Sequence, residues 1–180
     1  MIKMAKSIWI SDIQAGNYDN SEVEIKGWIH RFRGSNKIWF MVVRDSTGTI
    51  QCVIKKDIVG DVVFDLLRGS LTESSVIIQG NVIPTEREHG RELLVTNGEI
   101  IGGVNPSKPY PITESAMEEA EGGETEFLLD NRHLYLRTSR MTTMLKIRSS
   151  VFSAIHSYFR NLDFIEYQAP NFVAGAVEGG

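Results

Sequence analysis

Cysteine is almost absent: Cys52 stands alone among 180 residues. One thiol forms neither an intrachain disulfide nor a cysteine-built zinc site, and its place in an apolar run reads as a small buried hydrophobe. Proline is also scarce at five residues, and three of them crowd into Pro106 to Pro111. No apolar run reaches the length of a signal-peptide core or a membrane span, so the expectation is a cytoplasmic protein with no membrane partner. Glycine loops of the Walker or dinucleotide type are missing. His30, His89, His133 and His156 fall on different segments without metal-ligand spacing, and all four read as structural or surface residues.

What is present is an ordinary globular composition, 42% hydrophobic and 23% charged, in a chain long enough for one full domain and part of a second. The formal net charge of −4 conceals a division. Lys26 to Lys56 holds seven basic residues against Asp45 alone, whereas Thr113 to Asp130 holds seven acidic residues and no basic one. A local positive field suffices to steer a phosphate backbone, because salt screens charges beyond roughly 10 Å. A solvated face would show the same charges.

Hydrophobic periodicity divides the first hundred residues into short elements. Glu22 to Ile29 alternates strictly, with Val23, Ile25, Gly27 and Ile29 on one face. Lys37 to Arg44 leads through the turn Asp45-Ser-Thr-Gly48 into Thr49 to Ile54, the pattern of a hairpin. Ile58, Val59, Val62, Val63, Leu66 and Leu67 then recur at helical spacing before Gly69. Two further strands, Ser75 to Val82 and Glu92 to Ile101, flank the polar loop from Pro84 to Arg91. Five strands with one helix between the third and fourth is the order of an OB-fold, a Greek-key barrel whose strand face binds oligonucleotides. The prolines from Pro106 to Pro111 end ladder pairing, and the acidic run to Asp130 reads as a linker. From Met144 to Leu162 the apolar residues keep helical phase, and the β-branched and aromatic run after Asp163 reads as a strand stopping at Pro170.

On the two hairpin strands, pairing Arg44 with Thr49 sets Val42 against Gln51 and Phe40 against Val53. Phe40 and Gln51 are then diagonal neighbours on one face, roughly 7–8 Å apart. An aromatic beside an amide, with Arg31 and Arg33 close by, can stack one unpaired base and read its edge. The residues alone fit equally a core Phe40 beside an ordinary polar Gln51, and a one-residue slip would separate the pair. Glu178, followed by two glycines, sets a carboxylate beside permissive backbone suited to a ligand amine.

Five strings in order carry a resemblance across nearly the whole chain: Gly27-Trp-Ile-His-Arg-Phe-Arg33, Phe40-Met-Val-Val-Arg-Asp-Ser-Thr-Gly-Thr-Ile-Gln51, Glu73-Ser-Ser-Val-Ile-Ile-Gln-Gly80, Leu128-Leu-Asp-Asn-Arg-His-Leu-Tyr-Leu-Arg137 and Gly175-Ala-Val-Glu-Gly-Gly180. Together they resemble the class II aminoacyl-tRNA synthetases of the aspartyl, asparaginyl and lysyl subgroup, most closely the asparaginyl type of archaea and eukaryotes. The resemblance implies an all-β OB-fold anticodon-binding domain over residues 1–104, a linker over 105–130, and the opening of an α+β class II catalytic domain over 131–180. It implies that Phe40 stacks on the central anticodon uridine, that Gln51 bonds its edge, and that Arg31 and Arg33 support them. The helix and strand ending at Pro170 match motif 1, the homodimer element, and Glu178 falls where the family holds the amino group of its amino-acid substrate.

The implied reaction consumes ATP with Mg2+, activates asparagine and loads tRNA(Asn). The arginine motifs that hold ATP in this family have no counterpart in these residues, so the segment by itself is expected to be inactive and to contain no catalytic residue. An aspartyl enzyme, including one that charges both tRNAs, shares the OB design. A non-catalytic RNA-binding module kept for its OB face is the reading from another class. Where the family has glycine, Asp163 stands at the helix-to-strand turn, and aspartate tolerates left-handed backbone less well.

Overall fold

The computed structural model describes residues 8–86, 90–112 and 125–169. The chain divides into two compact units, Met1–Pro111 and Ile112–Gly180.

The first unit is a closed five-stranded barrel in the order β1-β2-β3-β5-β4, built from β1 (Glu22–Gly34), β2 (Ile38–Arg44), β3 (Thr49–Lys55), β4 (Ser75–Pro84) and β5 (Arg91–Gly102). Closure needs β1 to serve two neighbours: its first half pairs with β4 and its second half with β2. At the changeover, a Cβ on Gly27 would strike the backbone carbonyl of Arg44; only glycine lets the two strands approach so closely. The barrel shuts through a short parallel contact, Gln51↔Glu92 to Val53↔Leu94. Alternate residues of every strand point inward, and Ile25, Ile29, Met41, Val43, Cys52, Ile78 and Leu93 are fully buried. Burial pushes the Cys52 thiol up, because removal from water disfavours the thiolate.

The expected helix between β3 and β4 is α2 (Lys56–Arg68). Its first turn is broken at Gly60, whose φ of 77° and ψ of 168° are non-helical; an L side chain there would be strained. After the break, Phe64 and Leu67 bury themselves against the barrel, and Leu67 sits where a Cβ on Gly98 would be.

In this first unit the sequence reading has no counterpart for α1 (Ile10–Gln14), which inserts Ile10 and Ile13 into the core. Its N-cap residue, Trp9, offers no side-chain oxygen. The cap comes from the β2–β3 turn instead, where Asp45 Oδ2 accepts the Ile10 N–H at 2.9 Å and Thr47 Oγ1 accepts the Ser11 N–H at 3.0 Å. Asp45 Oδ1 meanwhile accepts from the backbone N–H groups of Thr47 and Gly48. One carboxylate therefore closes the hairpin turn and caps a helix 35 residues earlier.

The second unit contains α3 (Thr125–Asp130), α4 (Arg132–Tyr135) and α5 (Ser139–Arg160). α3 lies inside the acidic segment read as linker. Thr138 caps α5, its hydroxyl accepting from the Met141 N–H. The helix is amphipathic by sequence, yet Met144, Ile147, Val151, Phe152, Ile155 and Phe159 are exposed. Asp163 takes φ of 62° at the turn that follows, so aspartate does adopt the left-handed conformation there. The expected strand after it is not formed over residues 164–169. An extended run becomes a strand only when a neighbour accepts its N–H and C=O groups, and no such ladder occurs there among the described residues.

Candidate nucleic-acid interface

Four strands build one outward face. The register sets Arg31 against Val42, Val42 against Gln51 and Gln51 against Glu92, forming a row across β1, β2, β3 and β5. The next row holds Arg33, Phe40, Val53 and Leu94. Cross-strand partners share a face, as do alternate residues along a strand. Arg31, Arg33, Phe40 and Gln51 therefore all lie on the face opposite the core residues Met41, Val43 and Cys52. Phe40 is half-buried rather than internal, and the pairing is the one read from the sequence.

Strict alternation along β1 would have sent both arginines inward, in phase with Ile25, Gly27 and Ile29. A bulge at His30 prevents this: Ile29 pairs with Val43, and Arg31 already pairs with Val42. The extra residue shifts the phase by one, so that Phe32 turns inward opposite Met41 and the arginines turn out. Phe32 meets Trp39 with ring centroids 5.4 Å apart, and the Arg33 guanidinium lies 5.9 Å from the Phe40 ring centroid. That distance allows cation–π attraction.

The bulge is braced from below. Arg44 binds Glu73 through Nη2 at 2.8 and 3.1 Å, and its Nη1 lies 3.4 Å from His30 Nδ1. Glu73 is 7% exposed and holds φ of 68°, while its N–H donates to the Ile29 carbonyl at 2.7 Å. A buried carboxylate in a left-handed conformation thus ties the end of β2 to the bulge that aims Arg31 and Arg33.

Glu92 is the residue on this face that sequence reasoning missed. Its Oε1 accepts from Gln51 Nε2 at 2.9 Å, and only the parallel β3–β5 contact brings positions 51 and 92 together. No local pattern signals it. Of the histidines, His30 serves the bulge, His133 is exposed, and His156 Nδ1 lies 3.4 Å from Glu166; His89 lies outside the described residues, as do Pro170 and Glu178. No group of three or more His, Cys, Asp or Glu side chains among the described residues could hold a metal ion.

A closed barrel presenting two arginines, a half-buried aromatic ring and an oriented amide on its strand face is an OB-fold nucleic-acid-binding domain, and the family of that description matches residues 23–101. The tRNA synthetases class II (D, K and N) match residues 124–180. The asparagine–tRNA ligase of Thermoplasma acidophilum is 37% identical over 172 residues, covering 95% of this chain and 38% of the relative. The aspartate–tRNA(Asp/Asn) ligase of Methanocaldococcus jannaschii is 33% identical, covering 99% of this chain and 40% of the relative. Among solved structures, asparaginyl-tRNA synthetase from Pyrococcus horikoshii complexed with asparaginyl-adenylate superposes with a TM-score of 0.83 at 31% identity, over 100% of this chain and 39% of that one. The chain belongs to the class II aminoacyl-tRNA synthetases of the aspartate, lysine and asparagine group. It spans about two fifths of the length of these relatives.

Proposed function

We propose that this chain is the anticodon-reading and dimer-forming portion of an asparagine–tRNA ligase. In this reading the complete enzyme activates asparagine with ATP and Mg2+ and transfers it to tRNA(Asn) in the cytoplasm. No helix among the described residues is long and apolar enough to cross a membrane. Residues 1–104 are the anticodon domain, 105–130 the connection, and 131–180 the opening of the catalytic domain.

The observation that supports the reading is the placement of Phe40, Gln51, Arg31 and Arg33 on one outward face. Phe40 offers a stacking surface for the central anticodon uridine. Gln51 turns its amide nitrogen to Glu92, which leaves its carbonyl oxygen as the acceptor for the uridine N3–H. The arginines supply positive charge for the flanking phosphates. Glu178 as the partner of the asparagine amino group, and Pro170 at the two-fold contact, rest on the resemblance. The exposed apolar residues of α5 support a homodimer, since a C2 contact uses the same patch on both subunits.

The Methanocaldococcus relative favours a second reading, an aspartyl enzyme that charges both tRNAs. Substituting this chain for the matching segment of the Thermoplasma ligase tests both. Charging of tRNA(Asn) that falls sharply with Phe40→Ala is expected, and equal charging of tRNA(Asp) would select the second reading. Asparagine-dependent pyrophosphate exchange that persists while tRNA charging is lost would overturn the anticodon role.

A further inference from the structure

Beyond the Phe40 row, the same outward face continues to Ile38 and its partner Lys55. There a concavity of about 630 Å³ is lined by Lys37, Ile38, Lys55, Lys56, Asp57 and Asp61. Its volume lies within the roughly 300–1,000 Å³ range of ligand sites. The Lys37 carbonyl accepts the Lys56 N–H at 3.0 Å, which clamps the start of β2 to the end of β3 and fixes the cluster. Lys56 is already held, its Nζ lying 3.2 Å from Asp61. Lys37 and Lys55 are in no ion pair among the described residues, and Asp57 is the remaining countercharge at the rim.

We infer that Lys37 and Lys55 form a backbone-phosphate subsite for single-stranded RNA, one nucleotide along from the base stacked on Phe40. The inference deepens the anticodon reading and rests on it. Two residues along a strand advance about 6.6 Å, so the Lys55 row lies one step beyond the Phe40 row, close to the rise of one nucleotide in an extended strand. Ile38 between the two lysines supplies an apolar floor for the sugar, and the ammonium groups flank the phosphate. A lysine acts on phosphate as a point charge without edge-specific geometry. The subsite therefore adds affinity and salt dependence but no preference among bases.

The test uses the full chain and two labelled RNA hairpins that differ only in uridine or cytidine at the loop centre, with affinity measured by fluorescence anisotropy across a salt series. Lys37→Gln combined with Lys55→Gln should weaken both hairpins by the same factor and leave the uridine preference intact. The slope of log affinity against log salt should become shallower by about 0.7, the value for one phosphate on a single strand, since both lysines act on the same phosphate. Should the double variant prove unstable, Lys37→Gln alone, on the exposed side, should reduce the slope by a part of that amount. An unchanged slope beside a surviving uridine preference overturns this inference alone. Failure of the unaltered chain to bind either hairpin overturns the anticodon reading, and this inference with it.

Discussion

The amide nitrogen of Gln51 donates to Glu92 Oε1 at 2.9 Å, across the parallel contact between β3 and β5. A carboxylate accepts and cannot donate, so it selects one of the two orientations of the amide. With one N–H engaged there, the Gln51 oxygen occupies the other branch of the amide and acts as an acceptor. It suits the N3–H of uridine and not the N3 lone pair of cytidine.

Glu92→Leu should therefore leave RNA affinity largely intact while reducing the preference for a central uridine over cytidine. The loss expected is about 1 kcal/mol, that of one net hydrogen bond. Competition binding with the two loop RNAs measures it, and an undiminished preference would show that Glu92 does not set the amide.

Phe40 and Met41 are chain neighbours on opposite faces of β2, and their truncations should separate. Met41 is fully buried, so Met41→Ala should cost about 2–5 kcal/mol of stability with little direct effect on RNA contact. Phe40→Ala should cost less stability and about 1–3 kcal/mol of RNA binding. Denaturant unfolding and RNA titration on the same two variants decide the matter; a large stability loss with unchanged RNA binding would assign Phe40 to packing.

Arg44 and Glu73 form an ion pair in which one guanidinium nitrogen reaches both carboxylate oxygens, with side chains 19% and 4% exposed. Removing only the carboxylate, in Glu73→Leu, leaves a guanidinium without its partner and should cost about 3 kcal/mol or more. Arg44→Leu combined with Glu73→Leu should cost less than Glu73→Leu alone, because no charge is then stranded. A double variant less stable than the single would mean that the pair itself, rather than the stranded cation, supplies the stability.

Arg91 donates to both Asp19 carboxylate oxygens, at 2.7 and 3.1 Å. These hydrogen bonds, with the charge of Arg91, hold the Asp19 carboxyl below the usual carboxylate range. A lowered folded-state value means that the pair stabilises the fold above the ordinary aspartate pKa of about 3.9, and that this contribution is lost as pH falls through the lowered value. The melting temperature of the unaltered chain should exceed that of Asp19→Asn by a constant margin near neutrality, and the margin should close under acid. A margin independent of pH would mean that the contact is not electrostatic.

Local alternation and helical spacing are properties of neighbouring residues, so the strands from Glu22, Ile38, Thr49, Ser75 and Arg91, the helix from Lys56 and the helix from Ser139 were legible in the chain itself. So was the placement of Phe40 and Gln51 on one face, because the short turn Asp45 to Gly48 favours the register that pairs Arg44 with Thr49. Barrel closure was not legible in the same way. It brings residues 51 and 92 together, recruits Asp45 to cap a helix at Ile10, and inserts His30 as a bulge, each across 14 or more positions. The bulge matters most, since local periodicity predicts unbroken alternation and would bury Arg31 and Arg33. Only the need of β1 to leave β4 and pair with β2, braced by Arg44 and Glu73, turns both arginines to the outside. Conversely, the run after Asp163 has every local mark of a strand and is none over residues 164–169, because composition sets the tendency to extend while a hydrogen-bonding neighbour decides whether a strand exists.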